Sequence, residues 1–274
     1  MEVIRRPPAF TVDRLYRAVV ELPAYRDLLM VLTLHRIRVR YKQSVLGPAW
    51  AVLHPVAMMA IFAAVFSVIA RVDTGGQPYV VFAYAGLLPW TAFASALATG
   101  SSSLVTHSVL VTRVAFPREI LPFTYVAAAL FDLAIASVVL AALLVYYGIP
   151  LTISVLWVVP VLLVHAALAT AVCLVLAAAN VRFRDVTAGM PLLLQLWMFA
   201  SPVIYPLSAV PEQWRSWYVL NPMVGIVDGF RRAVLEGNAP DPHAFTWAAL
   251  AAVVALPVAY LWFKRVDATL ADYI

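Results

Sequence analysis

The chain has 274 residues, 64% of them hydrophobic and 12% charged, with a formal net charge of +5. A soluble domain devotes about a quarter of its residues to charge, and one of this size could not hide so much apolar surface from water, so lipid must cover part of it. The single cysteine, Cys173, excludes an intrachain disulfide.

Met1–Glu21 is polar and basic, with Pro7-Pro8 marking a loop and Asp13–Glu21 a short helix. The first apolar stretch, near Leu28–Leu34, is short, broken by charge and without a small-residue cleavage pattern, so it does not read as a secretory signal. Across Leu22–Leu46, Leu28, Leu29, Leu32 and Ile37 recur at helical spacing, which predicts a helix lying in the interface plane. Within it Arg36, Arg38, Arg40 and Lys42 alternate with Ile37, Val39 and Tyr41, a pattern that a strand would also give. An isolated strand edge at a membrane would leave backbone groups unpaired, so a helix is expected. Gly47-Pro48 then breaks the chain before a long uncharged run. A basic cluster in that place fixes which side of the bilayer the N-terminus occupies. It also holds cations at headgroup level, where anionic lipid or a phosphate-bearing substrate would lie. Snorkelling anchors are the competing reading.

Six membrane-length segments follow: Leu46–Ala70, Tyr79–Gly100, Ile120–Tyr147, Val155–Ala179, Ala188–Tyr205 and Phe245–Phe263. Each is near the roughly 20 residues that a spanning helix needs. With the N-terminus inside, all of the 19 Lys and Arg residues except Arg71, Arg215, Arg231 and Arg232 fall on the inner side, which predicts six spans with both termini cytoplasmic. The long last outer loop, Pro206–Ala244, should carry two short interfacial or re-entrant helices. One is Pro211–Leu220, with Trp214, Trp217 and Tyr218. The other is Pro222–Leu235, opened by Asn221-Pro222 and closed at Gly237, with Asp228 spaced to pair with Arg231 and Arg232.

Two inner loops are short, basic and aromatic. In the first, Leu104, Val105, Val109 and Val111 indicate a short helix that Pro117 ends, with Glu119 in the first turn of the third span. The second reads Asn-Val-Arg-Phe-Arg-Asp, with Asp185 placed to cap the fifth span. These are either ordinary positive-inside loops with capping acids or rigid knobs presented to a cytoplasmic partner. Asp132 is the one acid well inside a predicted span, and intramembrane acids mark function by default. A proton relay would need a second ionisable group at its depth, His165 being the nearest by type; a hydrogen bond to a neighbouring helix or across a dimer is the preferred reading. His35, His54, His107, His165 and His243 are scattered without metal-ligand spacing. Trp50, Phe62, Phe66, Tyr84, Trp90, Trp197 and Tyr205 offer apolar faces, several with polar tips, suited to lining a sugar path, although packing or lipid contact is the commoner fate of such residues.

Five motifs, RVRYKQSVLGPAWAVLHP, TRVAFPREILP, NVRFRDV, SPVIYP and LNPMVGIVDGFRRAVLEG, occur in order from about Leu28 towards the last span. Together the chain resembles the membrane subunit of type-2 ABC exporters, in the branch that moves capsule, O-antigen or teichoic acid precursors. The resemblance implies an all-α integral membrane permease, a single domain with a cytoplasmic or interfacial region at 1–46, six helices within 47–264 and a tail at 265–274. It implies a homodimer in the bacterial inner membrane, with the lipid-linked polysaccharide path at the subunit interface along the first and fifth spans. Arg36, Arg38, Arg40, Tyr41 and Lys42 would belong to an interfacial gate helix. Arg113, Phe116, Pro117, Arg118 and Glu119, with Arg182, Arg184 and Asp185, would dock on a separate ATPase present in two copies. No G-x-x-x-x-G-K-[ST] phosphate loop occurs in the chain. ATP and magnesium would therefore be bound by that partner and no cofactor by this chain; lipids are expected around it, nucleic acid is not. A drug or lipid permease of the same fold, and a proton-coupled carrier using Asp132, are the alternatives.

Overall fold

In hydrocarbon, a helix satisfies its own backbone donors and acceptors, and no strand occurs among the described residues. The computed structural model describes residues 22–42, 44–69, 73–114 and 116–270; the short helix expected over Asp13–Glu21 lies outside them. In chain order the helices are α1 (Arg26–Lys42), α2 (Ala49–Ala63), α3 (Tyr79–Gly100), α4 (Ser103–Thr106), α5 (Ser108–Arg113) and α6 (Ile120–Tyr146). They continue as α7 (Val158–Arg182), α8 (Asp185–Phe199), α9 (Glu212–Tyr218), α10 (Pro222–Arg231) and α11 (Pro242–Leu270). The alternating basic stretch is thus helical, as α1. A π turn, Ala64–Ile69, prolongs α2.

Among the described residues, five helices are long and apolar enough to cross a membrane: α2 together with its π turn, α3, α6, α7 and α11. The segment expected as a fifth span, Ala188–Tyr205, is built differently. Its helix, α8, has 15 residues and measures about 22 Å, against hydrocarbon about 30 Å thick. Beyond Phe199 the chain turns irregularly to Tyr205. The last helix, expected to stop at Phe263, runs on to Leu270, so most of the expected tail is helical.

Helix α3 is the hub. In its most apolar window 78% is buried, against 11% for α2. It packs on α6, α2, α7 and α10, while α11 lies along α7. The core joins Val81, Leu87, Leu88, Phe93 and Leu97 of α3 to Val161 and Leu168 of α7 and to Met223, Ile226 and Phe230 of α10. Helices α2 and α8 stand at the margin, with Trp50, Leu53 and Ile61, and Leu192, Leu193 and Leu196, turned outward.

Irregular backbone inside a membrane protein needs donors from other elements, and the stretch after α8 has them. Arg231 donates from Nη1 to the Pro202 carbonyl (3.1 Å), from Nη2 to that of Val203 (2.8 Å) and from Nε to that of Phe82 (3.3 Å). Tyr79 donates its hydroxyl to the Ile204 carbonyl at 2.6 Å, and Asn221 its amide to that of Ala200 at 2.9 Å. Burial pulls the Arg231 guanidinium down to about 10, Asp228 partly opposing it. Gly86 makes room for this, since a Cβ there would collide with the Arg231 guanidinium and the Val203 carbonyl. The outer helices form where expected: Asn221 caps α10 through the Met223 amide at 3.1 Å, and Gly237 ends the following π turn at φ 66°. The expected charge pairs are replaced. Arg231 goes to carbonyls, and Arg232 faces Glu236 at 4.0 Å.

Candidate functional site

Two cavities lie on either side of the C-terminal end of α1. The first, about 410 Å³, is enclosed by α2, α3, α6 and α8 and lined by Trp50, His54, Met58, Trp90, Asp132 and Arg40 among others. The second, about 430 Å³, lies between α1, the C-terminal end of α3 and the N-terminal end of α6. His35, Arg36, Arg40, His107, Thr106 and Tyr125 line it. It is basic and rich in hydroxyls, whereas the first is aromatic and apolar with a charged rim. Arg40 and Thr99 belong to both.

The helical period of α1 explains the arrangement, because Arg36 and Arg40, one turn apart, share a face that packs on α6. The Arg36 guanidinium lies 3.1 Å above the centre of the Tyr125 ring, a cation–π contact. Burial lowers its pKa, and Tyr125 offsets part of that. Arg40 pairs with Asp132, whose other oxygen accepts the Tyr41 hydroxyl at 2.5 Å. Burial, then Asp132, raises the Tyr41 phenol. The intramembrane acid is therefore bound to a neighbouring helix, the preferred reading. His165 is not its partner; its ring nitrogen meets the Pro89 carbonyl at 2.9 Å within the core. Arg38 and Lys42 are exposed.

The seven aromatic candidates divide. Trp50 and Trp90 line the first cavity. Trp197 lines a separate apolar cavity of about 710 Å³ beside α8 and α9, with its Nε1 donating to Asn221 at 3.0 Å. Phe62 and Phe66 pack on each other, 6.1 Å between centroids, and Phe66 on Tyr79. Tyr205 donates to the Phe199 carbonyl at 2.6 Å and contacts the Tyr218 hydroxyl. Tyr84 corrects the expectation: it is fully buried and donates to the Ala136 carbonyl at 3.0 Å, so it is core and lines no path.

The two inner loops meet at one end of the molecule. Leu104 of α4 and Val111 of α5, with Phe116 beside them, pack with Val181 of α7 and Phe263 of α11. This seats α4 and α5 while Arg113, Arg182, Phe183, Arg184 and Asp185 stay exposed. Glu119 is different: it has no exposed surface, and Lys264 Nζ lies 2.6 Å from its Oε1, to which the Tyr260 hydroxyl also donates at 3.0 Å. Arg118 reaches the Asp267 carboxylate at 3.2 Å. Glu119 is thus an internal brace between α6 and α11, and no partner can touch it in this conformation. Lys264 and Asp267 escaped the sequence reading, where Lys264 counted only as an inner charge. Their spacing with Tyr260, at i, i+4 and i+7, was the available signal.

Comparison with known proteins adds the remaining observation. The family model described as ABC-2 type transporter matches residues 27–235. The O-antigen export system permease protein RfbA of Myxococcus xanthus is 34% identical over 248 residues, covering 90% of this chain and 93% of that protein. The protein of the same name from Klebsiella pneumoniae is 28% identical over 213 residues, 77% of this chain and 81% of its own length. The polysialic acid transport protein KpsM of Escherichia coli is 26% identical over 233 residues, with coverages of 82% and 88%.

Proposed function

We propose, for a chain that belongs to the ABC-2 type transporter family of membrane proteins, a role at the level of substrate and partners. The chain is a polysaccharide-export permease, a multi-pass protein of the bacterial inner membrane. The observation that carries this is the likeness, over nearly their whole lengths, to permeases of O-antigen and polysialic acid export. The finer reading is that the cargo is lipid-linked and that a separate subunit, present twice, binds ATP and magnesium. The basic second cavity and the tryptophan-walled first cavity support it: cations suit a phosphate, apolar faces with polar tips a sugar.

Two copies of the chain, with both termini cytoplasmic, would meet along α2 and α8. Helix α2 is the least buried of the membrane-length helices, and α8 turns Leu192, Leu193 and Leu196 outward. The exposed basic and aromatic end formed by Arg113 and Arg182–Asp185 would receive the ATPase. The proton-coupled alternative loses its support, because Asp132 is committed to Arg40 and Tyr41 and lacks an ionisable partner at His165.

The test uses a strain from which the native gene has been removed, complemented with the charge-reversed pair Arg113→Glu and Arg184→Glu. The variant should reach the membrane at normal levels, lose co-purification of the ATPase and leave the cell surface without polymer. Normal export together with normal co-purification would refute the docking assignment. Export of polymer by the wild-type chain without any ATPase would refute the proposal itself.

A further inference from the structure

Arg40 is the charged residue the two cavities have in common, and it is held by Asp132 at their boundary. The helix that carries it is lightly attached: no residue of α1 is fully buried. Its polar side-chain ties to α6 run from Arg40 and Tyr41 to Asp132 and from Arg36 to Tyr125, and Leu32 adds an apolar contact with the cluster around Leu121. An element with little buried apolar surface opens at low cost. Asp132 supplies the two anionic oxygens that Arg40 and Tyr41 face, the same kind of donor set that a phosphate group would use.

We infer that Asp132 is an internal surrogate for the substrate's phosphate, holding α1 shut as a latch between the chambers. This inference rests on the export reading above. A phosphate or diphosphate arriving in the basic chamber meets His35, Arg36 and the open side of Arg40. It brings more charge and more acceptor oxygens than one carboxylate, so it draws Arg40 away from Asp132. The Tyr41 contact is strained or lost with it, and α1 swings off α6. The passage from the basic chamber to the tryptophan-lined one then opens at Arg40 and Thr99. Asp132 is a positioning residue in this scheme and need not touch the cargo; a neutral amphiphile has no means of releasing the latch.

The experiment measures the position of α1. Spin labels at Val31→Cys on α1 and Val138→Cys on α6, both exposed sites, report the separation by pulsed electron resonance. The full complex with its ATPase is held in phosphatidylcholine nanodiscs. Farnesyl diphosphate should shift wild type to a longer separation, inorganic pyrophosphate should do so at higher concentration, and farnesol should not. A shift by farnesyl diphosphate alone assigns the ligand to a lipid headgroup, and a shift by both assigns it to the phosphate chemistry. Asp132→Asn should show the longer separation without ligand, its closed-to-open ratio lowered about tenfold or more. Tyr41→Phe, which keeps the ring, should lie between.

Farnesyl diphosphate that binds without moving α1, or fails to bind, overturns the latch. So do movement by farnesol and wild-type separation in both ligand-free variants. If surface polymer still depends on the chain and its ATPase, the export reading survives that failure; loss of that dependence condemns the reading instead.

Discussion

Lys264→Met removes one partner of a pair in which Glu119 is fully buried and Lys264 keeps 15% of its side-chain surface exposed. Breaking a buried pair from one side costs about 3–5 kcal/mol, chiefly because the remaining charge is stranded. The Tyr260 hydroxyl still donates to Glu119 Oε1 at 3.0 Å, while Oε2 has no partner already; together these place the expected loss near the low end, about 3 kcal/mol. Glu119→Gln should cost less, about 1–2 kcal/mol, because the amide keeps a bond to Tyr260 and Lys264 can reach polar surroundings. The double variant strands no charge, so it should be more stable than the sum of the single losses implies, by about 2 kcal/mol. Unfolding of purified protein in mixed micelles with increasing dodecyl sulfate measures all three. Losses that add to within about 0.5 kcal/mol would refute the brace.

Gly86→Ala should prevent accumulation of folded protein, measured by detergent-resistant size exclusion, and Arg231→Met should not rescue it. The new methyl group would still strike the Val203 carbonyl, which is backbone and cannot swing away. His107 should make this end of the molecule, beside Arg36 and Tyr125, sensitive to acid. Burial first, then Arg36 and His35, lowers its pKa below 6.5, so the folded chain binds fewer protons there than the unfolded chain. Stability is then complete above pH 6.5 and falls as pH drops below that value towards the folded pKa. His107→Gln should flatten the slope between about pH 7.5 and 5 in the same unfolding assay.

Element type was plain in the sequence wherever apolar length decided it. Helices α3, α6, α7 and α11 lie close to their expected positions, as do the cap at Asn221 and the stop at Gly237, because each depends on residues near in the chain. The early end of α8 was not visible. It depends on Arg231, Tyr79 and Asn221, whose side chains reach carbonyls that the sequence gives no reason to connect with them. The partner of Asp132 was hidden for the same reason, lying 92 residues away at Arg40. Tyr84 misled because an aromatic residue in an apolar run looks alike whether it faces lipid, a path or the core. Glu119 misled because an acid before a helix is ordinarily a cap, and here no cap bond forms.

The stitching of the chain beyond Phe199 also bears on how such proteins can be recombined. Exchanging the outer hairpin with that of a relative would carry Arg231 and Asn221 across while leaving the carbonyls of Phe82 and Pro202–Val203 behind in the host. A graft of that kind keeps its acceptors only if α3 and the stretch after α8 travel with it. This part of the molecule is therefore inherited as a block assembled from three distant stretches of sequence, and divergence in one of them must be matched in the others.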